Sequence, residues 1–273
     1  MPKIIHLDCT FRDGGYYNNW NFDKKLAKDY LNALSEIKIN YVEIGFRFFE
    51  KTESKGAFAY CEESFLNKLA IPKNVKIAVM INAGDLIFDG KYNRNLLKKK
   101  FIKKKRSKIT LVRIACHFHE LDSIGLIVKD LKILGYEVGI NLMQISNKTK
   151  KEITKAIILI KKINPKVLYF ADSLGSLDVD KTKKIINNIK QIWKKDLGIH
   201  THDNLGNALK NSLISIKNGV KWVDTTVTGM GRGPGNTKTE LAILEIEKID
   251  KRKINILPLL NLIKKEFKDL HNK

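Results

Sequence analysis

The chain is poor in the residues that mark special architectures. Its three cysteines, Cys9, Cys61 and Cys116, are odd in number and far apart, so a disulfide framework is excluded and a reducing, cytoplasmic setting is expected. Five prolines and 17 glycines in 273 residues exclude collagen-like and Pro/Gly-rich disordered chains. No apolar run approaches the ~18 residues of a membrane span. Met1-Pro2-Lys3 leads directly into strand-like sequence, so neither a membrane anchor nor a signal peptide is expected. Acidic residues are also scarce: 29 Asp and Glu stand against 51 Lys and Arg, a formal net charge of +22. Only seven of those 51 are arginine. Nucleic-acid readers rely on guanidinium forks and stacked aromatics, and the densest basic run, Lys98–Arg106, holds one of each. It reads as a solvated surface helix, and no nucleic-acid or membrane partner is expected.

What is present is a chain with 43% hydrophobic residues, enough to bury a sizeable core. Short apolar, β-branched segments recur at Ile4–Asp8, Tyr41–Gly45, Lys76–Ile81, Thr110–Ala115, Glu137–Met143, Val167–Ala171, Leu197–Thr201 and Trp222–Thr225. Helical periods lie between them, at Asp23–Ile37, Glu62–Leu69, Leu121–Leu134, Thr149–Ile163, Asp180–Lys194, Leu205–Asn218 and Thr237–Lys248. Such alternation implies parallel strands with right-handed crossovers. Eight strands in about 250 residues suit a single α/β domain closed as a TIM (β/α)8 barrel. An open doubly wound sheet would want a glycine-rich turn after its first strand, where this chain has Arg12-Asp13-Gly14-Gly15. The barrel is expected over residues 1–250, with a short C-terminal helical tail over 251–273.

Barrel chemistry sits at the C-terminal ends of the strands. His200-Thr201-His202 closes the seventh, and residues two apart on a strand face the same way. Both imidazoles can therefore enter the barrel mouth. Asp13, after the first strand, would add a hard oxygen ligand. Two imidazoles and one carboxylate leave open positions on a divalent cation, which a catalytic metal requires.

The segment Asp8-Cys9-Thr10-Phe11-Arg12-Asp13-Gly14 resembles the opening signature of the DRE-type TIM-barrel metallolyases. That family holds HMG-CoA lyase, isopropylmalate and homocitrate synthases, and the pyruvate-specific 4-hydroxy-2-oxovalerate aldolases. Gly198–Gly206 and Gly229–Asn236 are similar to its second and third signatures, in the family's order, and the likeness runs over about the first 250 residues. Val112–His117 followed by Glu120, Tyr169–Ser173 and Gly229-Met230-Gly231 resemble the aldolase branch. The HMG-CoA lyase branch has a catalytic cysteine in the last of these loops, and this chain has none there.

The resemblance implies a class II aldolase, a carbon–carbon lyase working through a pyruvate enolate with Mn²⁺ or Mg²⁺. Asp13, His200 and His202 would hold the metal, with Asn236 as a fourth ligand or as the partner of one. Arg12 would stabilise the enolate oxygen and Ser173 would bind the pyruvate carboxylate. Glu43 would orient Arg12, although a loop-closing polar network accounts equally well for Glu43 and Asn236. Where the aldolases have a catalytic histidine, this chain has Tyr16, a poorer base with its reference pKa near 10. The proton therefore goes to a tyrosine of lowered pKa, to metal-bound water, or to His117 or His119, which share parity with Arg113 and face the mouth if their strand continues. Arg47 is a candidate for an acidic group on the aldehyde half.

The implied substrates are small molecules, pyruvate and an aldehyde. Leu257, Leu259, Leu260 and Ile263 offer the tail as a surface for a homodimer. About 20 residues follow the barrel, so no aldehyde dehydrogenase partner is expected. Two rivals stand beside this reading: a Claisen-type synthase condensing an acyl-CoA on the same ligands, and a non-catalytic basic binding module.

Overall fold

The computed structural model describes residues 3–267. Eight parallel strands close into a ring: β1 (Ile5–Asp8), β2 (Tyr41–Phe46), β3 (Lys76–Asn82), β4 (Ile109–Cys116), β5 (Glu137–Leu142), β6 (Val167–Asp172), β7 (Asp196–Thr201) and β8 (Trp222–Thr225). Each pairs with its neighbours in sequence, and β8 returns to β1 with Ile5 opposite Trp222 and Asp8 opposite Thr225. The fold is the expected TIM barrel.

Around it lie α1 (Lys24–Glu36), α2 (Arg94–Lys100), α3 (Leu121–Ile133), α4 (Lys150–Ile163), α5 (Val179–Ile192), α6 (Ala208–Lys217) and α7 (Thr239–Asp250), followed by α8 (Leu257–Leu262). The helices follow the apolar periodicity, and in α1, α2, α4 and α5 a side chain also caps the N-terminus. In α4, Ile153, Ala156, Ile157 and Ile160 make one buried stripe, Thr149 and Glu152 form a reciprocal capping box, and Asn164 ends the helix in the left-handed region. The helix expected over Glu62–Leu69 is a single turn, Glu63–Leu66. The basic run is not one surface helix. Asn93 caps α2 by accepting from Leu96 N at 3.1 Å, the helix stops at Lys100, and Phe101 turns inward.

In the tail, α8 packs against α1. Leu259 and Leu262 face inward while Leu257 and Leu260 are exposed, so the apolar tail surface is smaller than the sequence suggests. Residues 268–273 of the expected tail lie outside the described residues. Among the described residues, no helix is long and apolar enough to cross a membrane.

The barrel interior is layered by strand parity. Tyr41, Leu111, Val167 and Trp222, from the even-numbered strands, belong to an apolar cluster inside the ring. Two residues further along the same strands stand Glu43, Arg113, Tyr169 and Asp224, all buried. This second layer is charged, and it forms the floor of the site.

Candidate active site

After β1 the chain does not run straight into a crossover helix. Asp8 accepts hydrogen bonds from Thr10 N (2.9 Å), Thr10 Oγ1 (2.5 Å), Tyr30 OH (2.5 Å) and Thr239 Oγ1 (2.5 Å), clamping the strand end between α1 and α7. A one-turn helix, Thr10–Asp13, follows at once, and all four of its residues are buried. Trp20 Nε1 donates to Arg12 O at 2.9 Å and holds the turn against the mouth.

The turn presents Arg12 and Asp13 to the end of β7. His200 Nε2 lies 3.2 Å from Asp13 Oδ2, and the His202 ring centre lies 5.1 Å from that of His200. Asn236 Nδ2 donates to the same Asp13 oxygen, and its backbone bridges to His202. Gly231 makes room for it, since a Cβ there would sit 2.7 Å from Asn236 Oδ1. Arg12 donates from Nη1 to Asp13 Oδ1 and from Nε to Glu43 Oε1, both at 2.7 Å.

Electrostatics follow from burial and these contacts. Burial alone would raise the Asp13 carboxyl, but Arg12 and the histidines hold it well below the usual range. Burial also opposes charge on His200. Its bonds to Asp13 and Asp224 outweigh that and raise its pKa above 6.5. His202 is lowered to about 4, by burial first and by the neighbouring His200 second, so it stays neutral and its lone pair is free to ligate. Two guanidinium groups, Arg12 and Arg113, face three carboxylates, Asp13, Glu43 and Asp224. Once His200 gives up its proton, one negative charge is left in excess, which suits a cation. Arg12 Nη2 and Asn236 Oδ1 are buried without a hydrogen-bond partner. A hard carboxylate and an imidazole with ligand atoms within 4.8 Å, beside a second imidazole ring and an orphaned amide oxygen, fit a divalent metal.

The other expected residues are dispersed. Glu43 lies within β2, and it contacts Arg12 as anticipated. Tyr16 is at the rim, edge-on to Trp20 and Phe46 and beneath the Arg232 guanidinium at 5.1 Å. Burial raises its phenol pKa, which is the opposite of what a base needs. The fourth strand stops at Cys116, so His117 and His119 lie just beyond its C-terminal end. Their rings stack on each other at 5.5 Å beside a cavity of about 320 Å³ with Phe118, Met143, Gln144 and Lys148. Ser173 follows β6 and accepts from Gln144 N at 3.0 Å. Arg47 is 1% exposed, buried under Phe101 with its guanidinium on Cys61 O, Lys100 O (3.0 Å) and Glu63 (3.1 Å). With these bonds it holds loops together, and no substrate contact is assigned to it.

Three side chains at the site lie outside the sequence expectations. Cys9 Sγ lies with the Asp13 and His200 ligand atoms, all within 4.8 Å of one another, but burial keeps its thiol well above its usual pKa. Asp224 meets His200 Nδ1 at 3.0 Å, and Arg113 meets Asp224 at 2.6 Å. The signal for these last two is a polar residue of inward parity on an otherwise apolar strand.

The HMGL-like family model matches residues 3–257. The 4-hydroxy-2-oxovalerate aldolase of Pelotomaculum thermopropionicum is 28% identical over 251 residues, covering 91% of this chain and 71% of that protein. The aldolase of the same name from Carboxydothermus hydrogenoformans is 27% identical over 255 residues, covering 90% of this chain and 71% of its own. Among solved structures, the N-terminal domain of a Bacteroides vulgatus protein provisionally assigned as an aldolase superposes with a TM-score of 0.85 and 32% identity, over 98% of this chain and 87% of that one. The Bacillus subtilis HMG-CoA lyase shares the fold, with a TM-score of 0.81 at 16% identity, over 99% of this chain and 95% of that one.

Proposed function

The chain belongs to the HMGL-like family, and on that footing we propose that it is a divalent-metal-dependent aldolase that splits or forms a 4-hydroxy-2-oxo acid from pyruvate and an aldehyde. It is thereby a carbon–carbon lyase acting on small molecules, as its aldolase-named relatives support. The observation that supports the reading is Asp13 against His200 at 3.2 Å, with the His202 ring beside that of His200, next to a buried guanidinium that keeps one nitrogen unpartnered.

In this reading Asp13, His200 and His202 hold the cation, with Asn236 beside them. When bound, the cation supplies a Lewis acid for the 2-oxo group of the substrate. The protein's own groups do the rest. Arg12 is fixed at Nε by Glu43 and at Nη1 by Asp13, which leaves Nη2 to donate. The acceptor is the oxygen at C2, which becomes negative as the 4-hydroxyl proton passes to solvent and the C3–C4 bond breaks to release the aldehyde. A donor held in place before the reaction needs no reorganisation, which is how oxyanion stabilisation gains its strength. Ser173, following β6, binds the substrate carboxylate. Tyr16 holds its proton at neutral pH and serves as a donor at the rim, not as the base.

Enolisation of pyruvate needs neither aldehyde nor CoA. With Mn²⁺ or Mg²⁺ in D₂O, the protein should therefore wash the methyl protons out of pyruvate, seen as loss of the methyl NMR signal. The exchange should stop with a chelator and in His202→Ala, and Arg12→Lys should slow it by roughly 10²–10³, the scale for losing one oxyanion donor. Exchange absent from pyruvate but present in the acetyl group of acetyl-CoA would make the protein a Claisen synthase and overturn the proposal.

A further inference from the structure

The charged layer beneath the mouth has a connectivity that the aldolase reading does not use. Arg113 is fully buried at its centre. It donates from Nε to Glu43 Oε2 (2.5 Å), from Nη2 to Glu43 Oε1 (2.8 Å) and from Nη1 to Asp224 Oδ2 (2.6 Å). Each of those carboxylates then reaches one functional side chain. Glu43 Oε1 also accepts from Arg12 Nε at 2.7 Å, and Asp224 Oδ2 also contacts His200 Nδ1 at 3.0 Å. The guanidinium carbon lies 4.5 Å from the Tyr169 ring centre. That ring in turn occupies the space left by Gly198, where a Cβ would come within 2.5 Å of it.

We propose that Arg113 and Asp224 are positioning residues, setting His200 and Arg12 from one buried guanidinium so that the ligand half and the enolate half of the site keep a fixed relation. The inference rests on the aldolase reading for what is positioned. Two arguments support it. First, a buried ion network is a poor stabiliser compared with apolar filling, and apolar filling is what the same four strands supply one layer below. The charges therefore serve something other than stability. Second, with Asp224 accepting from Nδ1–H, the nitrogen left to give up its proton and ligate is Nε2, the one that faces Asp13. Lysine could not replace Arg113, because one ammonium cannot bridge two carboxylates with a planar fork.

The test uses the full chain. In Asp224→Ala the metal-free protein at alkaline pH should lose the Nδ1–H tautomer of His200, read by ¹⁵N NMR, and Mn²⁺ affinity should fall roughly 10–100-fold, the range for removing such a partner. Asp224→Asn keeps an acceptor oxygen and should restore the tautomer and most of the affinity; it also serves if the alanine variant does not fold. Arg113→Lys should slow pyruvate exchange at saturating Mn²⁺ by about tenfold or more, the scale of lost orientation, while KM for pyruvate moves little. Retention of the His200 tautomer and of wild-type Mn²⁺ affinity in Asp224→Ala, with only thermal stability lowered, would overturn the inference. Failure of the unaltered protein to bind Mn²⁺ or exchange pyruvate would instead sink the aldolase reading, and the tautomer measurement tells the two apart.

Discussion

Glu43→Gln changes one atom and tests how the site is held. Glu43 is fully buried and takes three donors: Arg12 Nε at 2.7 Å and Arg113 Nη2 at 2.8 Å on Oε1, and Arg113 Nε at 2.5 Å on Oε2. A glutamine can keep its oxygen in the Oε1 position and retain the first two bonds. Its amide NH₂ then faces Arg113 Nε, donor against donor, at a distance where a hydrogen bond used to be. Two guanidinium groups are left with two carboxylates, and the negative excess that favours a cation is gone. Breaking one partner of a buried ion pair costs about 3–5 kcal/mol. At roughly 2–4 °C per kcal/mol for a domain near this size, Tm should fall by about 10 °C or somewhat more. Arg12 loses the charge that fixes it, so pyruvate exchange should drop by roughly 10²-fold, within the range for a misplaced oxyanion donor. Thermal unfolding followed by circular dichroism, and exchange in D₂O on the folded fraction, measure the two effects separately. Unchanged exchange together with a Tm within about 1–2 °C of wild type, a shift worth less than ~1 kcal/mol at the same scaling, would refute the reasoning about this layer.

The remaining predictions concern charge. Because Asp13 and Asp224 outweigh burial and raise His200 above 6.5, divalent metal must displace its proton; affinity should climb as pH rises through that raised pKa, and calorimetry in buffers of different ionisation enthalpy should show proton release that His200→Ala abolishes. His6 is lowered from 6.5 to about 3, by burial first and Arg252 second, so its contribution to stability is present above pH 6.5 and is lost as pH falls through that window. Urea midpoints against pH should show it, and His6→Gln should reduce the slope by about one proton, ~1.4 kcal/mol per pH unit; an unchanged slope would mean that His6 is not buried neutral. Changing the exposed Lys98, Lys99, Lys103 and Lys105 to glutamine should leave pyruvate exchange unaltered. Activity lost at moderate salt and recovered at low salt would show instead that the run steers an anionic substrate.

Strand order, barrel closure and the approach of Asp13 to the His200-x-His202 strand end were legible in the chain itself. β-Branched runs with turn-forming ends are local signals, and the eight strands lie within a residue or two of the expected bounds. The pairing of His200 with His202 needed only the two-residue period of a strand, and the place of Asp13 needed only the rule that strand ends carry the chemistry. Side-chain direction beyond a strand end was not legible. His117 and His119 kept the parity of Arg113 on paper, but the strand ended at Cys116 and the backbone turned them onto each other. Arg47, one residue past β2, went under Phe101 instead of over the mouth. Nor could composition reveal that α2 would form from Arg94, because a single capping bond from Asn93 and one buried leucine decide it.

The charged layer marks the division most sharply. Each of Glu43, Arg113, Tyr169 and Asp224 sits two residues beyond an inward apolar residue, so the sequence alone determined that each would point into the ring. Glu43 and Arg113 are 70 residues apart and Arg113 and Asp224 are 111 apart, so which of them touch was set only when closure of the sheet fixed the register of strands that are not neighbours. Parity is a property of one strand and can be read along it; a contact across a barrel depends on the stagger of all eight, and it exists only in the folded molecule.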